Sequence, residues 1–351
     1  MLTTDKPTAT PKESPNTQAA RRHSFRLLSG GERVQLLWVL LAAVIAVMVL
    51  LPIVPLQWRA WDNGADGIRR LGEMHDLGEV MRTTLLLGIG GMAVGMIMGT
   101  VLALCAYSMT PRLRAVLEFT PVLPMVIPSV AHVVGFVFLF SPENGYLNTA
   151  LRATPFFNQD SGPVNVYTLP WIIFYTGTHL AAFVYLFVYS GLKNLGSDYS
   201  LAARVNGASG FRALVTVTLP LLRPTFVYAG VVVLLLALGQ FTGPLVLGRR
   251  EGVDVITTKM YEISAEYPVD YALASALGTP LIILALLLVV LQRKMLGNQN
   301  RFIGQGASTI DNRRLNPVVS WICAGVVSLY VLIAAVLPLL AVGFVAFSPF
   351  W

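Results

Sequence analysis

Residues 201–220 read LAARVNGASGFRALVTVTLP. The stretch stands between two apolar blocks, 169–192 and 225–247, each long enough to cross a bilayer. It is too polar to span and too regularly patterned to be a slack loop. Ser197 or Asp198 can cap a short helix by accepting from the free amides of its first turn. Ala202 and Ala203 keep that helix slim on one face, and Gly207 suits its end, where a left-handed residue is favoured. Ser209 can cap a second helix carrying Phe211, Leu214 and Val217 or Thr218 on one side. Pro220 and Pro224 punctuate the entry to the next block. The pattern predicts two short helices with a bend, lying along a membrane surface. Their apolar face requires lipid headgroups or another protein.

The chain of 351 residues is 55% hydrophobic and 12% charged, whereas soluble domains carry roughly a quarter charged residues. Seven apolar blocks are legible, at 34–56, 83–107, 119–140, 169–192, 225–247, 271–291 and 318–347. They predict an all-α polytopic membrane protein with about seven transmembrane helices. Block 34–56 follows a long polar tail and has the length of a full span, unlike a cleavable signal. The tail, 1–33, has the composition of a disordered segment. Cys105 and Cys323 both fall inside apolar blocks and read as small packing residues.

All 25 Lys and Arg lie outside the seven blocks. With the N-terminus in the cytoplasm, 17 fall on inner segments and 8 on outer ones, the bias expected of that orientation. The net charge of +7 follows from this bias and does not point to nucleic acid. The 18 Asp and Glu also lie outside the blocks, Glu118 at an edge. Ion-coupled carriers usually hold an ionisable group within the membrane; here, cysteines aside, the blocks offer His132 and His179. A Gly-x-x-x-x-Gly-Lys-Ser/Thr phosphate loop does not occur, so the chain does not hydrolyse ATP by that device.

The opening stretch resembles the cytoplasmic loop of binding-protein-dependent ABC importer permeases, the MetI-like superfamily. Their pattern is Glu-Ala-Ala, three residues, Gly, nine residues, Ile-x-Leu-Pro. Here Ala202, Ala203 and Gly207 are followed, nine residues after the glycine, by Val217, Thr218, Leu219 and Pro220. Leu201 stands where the family has its Glu. The resemblance covers roughly 83–300 and implies a five-helix permease core, with a coupling loop at 196–224 that docks on a dimer of ATPase subunits. ATP is then used by that partner, and the chain itself binds no cofactor and no metal. A periplasmic solute-binding protein is expected on the outer loops near 58–82, 141–167 and 249–270, and the chain is expected in the inner membrane. TPVLPMVIPSV (120–130), FTGPLVLG (241–248) and GVDVITTKMYE (252–262) are most similar to permeases of the ferric-iron type, related to those for polyamines, thiamine and 2-aminoethylphosphonate. Those are commonly fusions of two units. A tail and first span with its outer loop (34–82), the core, a linker (301–317) and the start of a second unit (318–351) would follow. A second permease unit, in the same or another chain, is then needed to complete the path.

Within the blocks, Gly91, Gly95 and Gly99 recur at four residues and mark a close helix contact. Pro121, Pro124 and Pro128 break the third block's hydrogen-bond ladder, and freed carbonyls can line polar cavities. Ser129 and His132 lie beside the last of these, and Thr176, Thr178 and His179 sit in the fourth block. Gln240, Phe241, Thr242, Gly243 and Pro244 form a polar break in the fifth. A translocation path is expected at Pro128, Ser129, His132, Thr176, His179, Gln240, Phe241, Gly243 and Pro244. Three other readings stay open. An ion-coupled carrier would place carboxylates in the blocks, a membrane enzyme would cluster His with acids, and an inactive truncated half-permease would share every feature but the second unit.

Overall fold

The computed structural model describes residues 30–154, 162–195, 198–296 and 316–348. The expected tail through residue 29, the Ser197 cap and the linker 301–315 lie outside them, as does the capping side chain of Asp198. The described residues form helices and connecting turns, without a strand. Among the described residues five helices are long and apolar enough to cross a membrane, or up to seven if each of two bent pairs is one span.

The chain divides into two compact units, 1–54 and 55–351. In the first, the described part belongs to helix α1 (Gly30–Glu73), with every side chain from Val34 to Val54 exposed. An apolar helix exposed all round suits lipid rather than water. The sequence predicts a span ending near 56, but α1 runs on to Glu73. Past that point one side of it is buried, while Trp58 and Trp61 stay exposed. Ala60 and Leu71 are buried in a cluster with Val80, Ile256 and Leu277, while Arg69 pairs with Asp66 at 3.1 Å. Hydropathy marks only the apolar part of such a helix; its amphipathic end is held by packing.

The second unit is built on α2 (Leu77–Tyr107) and α7 (Leu169–Leu195). The glycine ridge of α2 lies on α7. A Cβ at Gly99 would stand 2.5 Å from the Ala181 carbonyl oxygen, and one at Gly95 3.3 Å from that of Gly177. A Cβ at Gly177 would stand 2.4 Å from Val94. Glycine on both helices therefore lets backbone meet backbone. Leu102, Ala103, Ala106, Leu180, Val184 and Tyr185 fill the buried contact.

The third block is not one straight span. After α3 (Pro111–Leu117) and a 3₁₀ turn (Thr120–Val122), α4 (Leu123–Val126) ends and α5 (Ser129–Phe140) leaves at 95°. A local contribution is clear: proline pushes the residue before it away from helical geometry, and Ile127 sits extended at φ −73°, ψ 131° ahead of Pro128. On the far side, α6 (Tyr146–Arg152) precedes α7.

The fifth block is also divided. After α7 come α8 (Asp198–Val205), α9 (Gly210–Ala213), a π turn (Leu214–Thr218) and α10 (Leu219–Leu221). Then α11 (Arg223–Leu238) departs at 65° from the preceding segment. It stops before Gly239, and a π turn (Pro244–Gly248) follows. Thus α11 is shorter than the predicted 225–247. The chain continues through α12 (Ile256–Ala265) and α13 (Tyr271–Leu296). The last span, Pro317–Ala346, comprises α14 (Pro317–Val331), a π turn (Leu332–Val336) and α15 (Leu337–Ala346). It packs on α2, α3 and α5. A Cβ at Gly135 of α5 would meet the Pro338 carbonyl oxygen at 2.5 Å.

Candidate functional site

The loop that opened the sequence reading forms two short helices and a bend. Gly207 adopts φ +85°, in the left-handed region. Its amide donates to the Arg204 carbonyl and that of Ala208 to the Ala203 carbonyl, both at 3.0 Å. This is the paired pattern that closes a helix on a left-handed glycine. Ser209 Oγ accepts from the Arg212 amide at 3.3 Å and starts α9. Nearby surface is apolar: Val205 is 88% exposed and Phe211 77%, with Tyr199 and Val215 also exposed. Leu201, Ala203, Val217, Leu219 and Pro220 are half-buried, and Ala202 is exposed. The motif thus folds as a raised platform at the end of α7 that the charge bias assigns to the cytoplasm.

The expected path residues form a second grouping, where the two broken segments meet. Ser129 Oγ lies 3.4 Å from Thr242 Oγ1, joining the start of α5 to the break after α11. A Cβ at Gly243 would stand 2.9 Å from Tyr175 Cε1. Tyr175 in turn holds its hydroxyl 3.3 Å from His132 Nδ1. The other ring nitrogen of His132, Nε2, lies 2.7 Å from the carbonyl oxygen of Ala334 in the last span. A carbonyl can only accept, so Nε2 carries the proton, and in the neutral ring Nδ1 accepts from the Tyr175 hydroxyl. The His179 ring lies 5.1 Å from that of His132, tilted at 43°.

His132 is fully buried and bonds helix to helix in this conformation. Thr176 is also buried and packs toward Gly91. Pro128 and Ser129 are exposed, while His179, Gln240 and Phe241 are half-buried. The Gln240 side chain is half-buried, and its backbone carbonyl accepts from Thr257 Oγ1 at 2.6 Å. Phe241 meets Tyr261 edge-on at 5.4 Å. Pro244 is buried beside a cavity of about 100 Å³ lined also by Arg249, Asp254, Tyr261 and Glu266. Among the described residues no group of three His, Cys, Asp or Glu is placed to hold a metal ion.

The outer segments are ordered by two devices. Asn148 is fully buried. Its amide nitrogen lies 2.9, 3.0 and 2.7 Å from the carbonyls of Phe140, Ser141 and Val164, which share its two N–H donors. Lys259 of α12 bonds Glu262 at 3.0 Å and Asp76 at 3.2 Å. Burial favours its neutral form, but the two carboxylates outweigh that and hold its pKa above the ordinary value.

Sequence reasoning missed Tyr175 and Asn148. Tyr175 lies four residues before His179, on the same side of α7, and that spacing was the available signal. Asn148 sits in a short polar stretch where nothing local announces burial.

The geometry can be set against known proteins. The family described as "Binding-protein-dependent transport system inner membrane component" matches residues 91–296. That range holds the glycine contact, both broken segments and the loop. The Ferric transport system permease protein FbpB of Actinobacillus pleuropneumoniae is 27% identical over 247 residues, 69% of this chain and 34% of that protein. The chain thus spans about a third of the length of that relative. The Xylose/arabinose import permease protein XacH of Haloferax volcanii is 30% identical over 175 residues, 47% of this chain and 53% of that one. In a crystal structure of a bacterial alginate ABC transporter in complex with an alginate pentasaccharide-bound periplasmic protein, one chain superposes with a TM-score of 0.64 at 23% identity. The match covers 78% of this chain and 97% of that one, and it is a likeness of fold.

Proposed function

The chain belongs to the family of binding-protein-dependent transport system inner membrane components, multi-pass permeases of ABC importers, and on that premise we propose that it forms half of an ATP-driven solute path. The observation that carries this reading is the platform 198–221, whose exposed Val205 and Phe211 flank a glycine-closed bend. Such a surface marks a contact site for another protein or for lipid headgroups, and its closed bend favours a protein. The partner proposed is a dimer of ATPase subunits. Leu201 in place of the family's acid leaves the contact apolar. A second permease unit supplies the other wall of the path. A binding protein delivers the solute at the outer face ordered by Asn148 and Lys259.

In this mechanism the permease needs no catalytic group and holds no nucleotide. Nucleotide binding to the ATPase pair moves the platform and shifts the helices between two arrangements. The broken segments meeting at Ser129 and Thr242 form the wall facing the solute. Ferric iron is the solute we favour, since a relative of that name aligns over 69% of the chain. The sugar permease relative makes a pentose the competing solute.

The test is purification of the tagged chain from its own membranes in mild detergent, followed by uptake of radiolabelled ferric iron in cells with and without it. Recovery of an ATPase and loss of iron uptake on deletion support the reading. Absence of an ATPase under conditions that keep other importers whole overturns it. Unchanged iron uptake beside lost pentose uptake would replace iron alone.

A further inference from the structure

One grip joins the root of the platform to the bent third segment. On α7, Tyr185, Tyr189 and Lys193 follow at intervals of four and share one side of the helix. All three hold one residue, Glu118, which stands between α3 and the 3₁₀ turn. Tyr185 donates its hydroxyl to the Glu118 carbonyl. Tyr189 donates to Glu118 Oε2 at 2.6 Å, and Lys193 Nζ lies 3.2 Å from the same oxygen. The tyrosine rings stack at 5.3 Å and 10°, and the Lys193 ammonium sits 4.6 Å over the Tyr189 ring.

The near side of Glu118 is anchored as firmly. Arg114, one turn earlier, is buried and donates to the carbonyls of Ala106, Tyr107 and Met109 at 3.3, 2.6 and 2.8 Å. Ala106 and Tyr107 end α2, where helix carbonyls lack a following turn, and Met109 lies two residues beyond. The segment 111–118 is therefore fastened to α2 by a guanidinium and to α7 by a carboxylate. The platform begins at Asp198, just beyond Lys193 and the end of α7. The break at Ile127 and Pro128 follows Glu118 by nine and ten residues.

We propose that Glu118 is the positioning residue that transmits movement of the platform, through Tyr189 and Lys193, to the bend at 127–128. The inference rests on the reading of the platform as an ATPase dock. The Lys193–Glu118 pair is partly exposed, at 38% and 17%, and the net worth of such a pair is small because desolvation and screening offset the attraction, so it can form and part within a transport cycle. The grip fixes α7 to the third segment only while both ends are in register.

The experiment uses the complex of the full chain with its co-purified ATPase, read by hydrogen–deuterium exchange with and without magnesium ATP and vanadate. In the wild type, exchange is expected to change both in 198–213 and in 123–132. In Glu118→Gln the platform is expected to respond as before while the change in 123–132 is lost. Lys193→Gln, at the more exposed end, serves where the Glu118 variant is poorly folded, and should show the same loss. Glu118→Lys with Lys193→Glu should restore part of the response, which a merely structural role would not do. An undiminished response in 123–132 in both single variants overturns the inference. A platform that ignores nucleotide in the wild-type complex overturns the docking reading and the inference with it.

Discussion

His132 Nε2 donates to the carbonyl of Ala334, 202 residues away, at 2.7 Å. The residue four beyond Ala334 is Pro338, which has no amide to offer that carbonyl. The proline frees the acceptor and the histidine fills it, within a π turn that already widens the helix. Tyr175 completes the chain from the other nitrogen.

Replacing His132 with Leu leaves two buried polar groups, the Ala334 carbonyl and the Tyr175 hydroxyl, without that partner. The expected loss is about 1–3 kcal/mol, read as a lowered unfolding temperature in detergent. Gln at 132 keeps a donor and should recover part of it. A Leu variant as stable as the parent would show that the contact contributes nothing.

Gly207 has open space around it but a left-handed backbone. Val there is expected to strain the bend by about 1–2 kcal/mol and weaken recovery of the ATPase, while Asn, which tolerates this geometry, should be mild. Equal recovery with Val, Asn and Gly would mean that the bend does not shape the dock.

Gly99→Val forces a side chain into the Ala181 backbone. Overpacking of this kind costs about 1–3 kcal/mol and should lower both yield and unfolding temperature. Gly230→Ala in α11, with nothing within 4 Å, should be neutral or slightly stabilising. If the two behaved alike, the close approach of α2 and α7 would be refuted.

Asn148→Ala removes the donors shared by three backbone carbonyls at once. The outer segments 141–154 and 162–168 should become protease-sensitive while ATPase recovery is kept. Protection unchanged from the parent would assign the order of these segments to other contacts.

The long helices were legible because their signal is one-dimensional: block 83–107 becomes Leu77–Tyr107 and block 169–192 becomes Leu169–Leu195. The glycine repeat at 91, 95 and 99 announced its contact, and the Gly207 bend followed from the residue itself. The end of α1 was illegible to hydropathy, since Arg59 and Asp62 halt the apolar run without halting the helix. The prolines foretold a break in the third block but not its 95°, which depends on what α5 packs against. His132 stood out as polar in an apolar run. Its bond to Ala334 could not be read, because a carbonyl freed by a distant proline leaves no mark in the histidine's own neighbourhood. Glu118 showed only as an acid at an edge, and its three holders on α7 required the fold.

The glycine contact of α2 and α7 has a kinematic consequence. Where backbones touch, no layer of side chains is left to yield, so sliding or rolling one helix past its neighbour is costly. The pair is a spindle. In the proposed transport cycle the moving segments pivot about it, at the cuts in the helical rods: Ile127–Pro128, Leu222 and Gly239–Gly243.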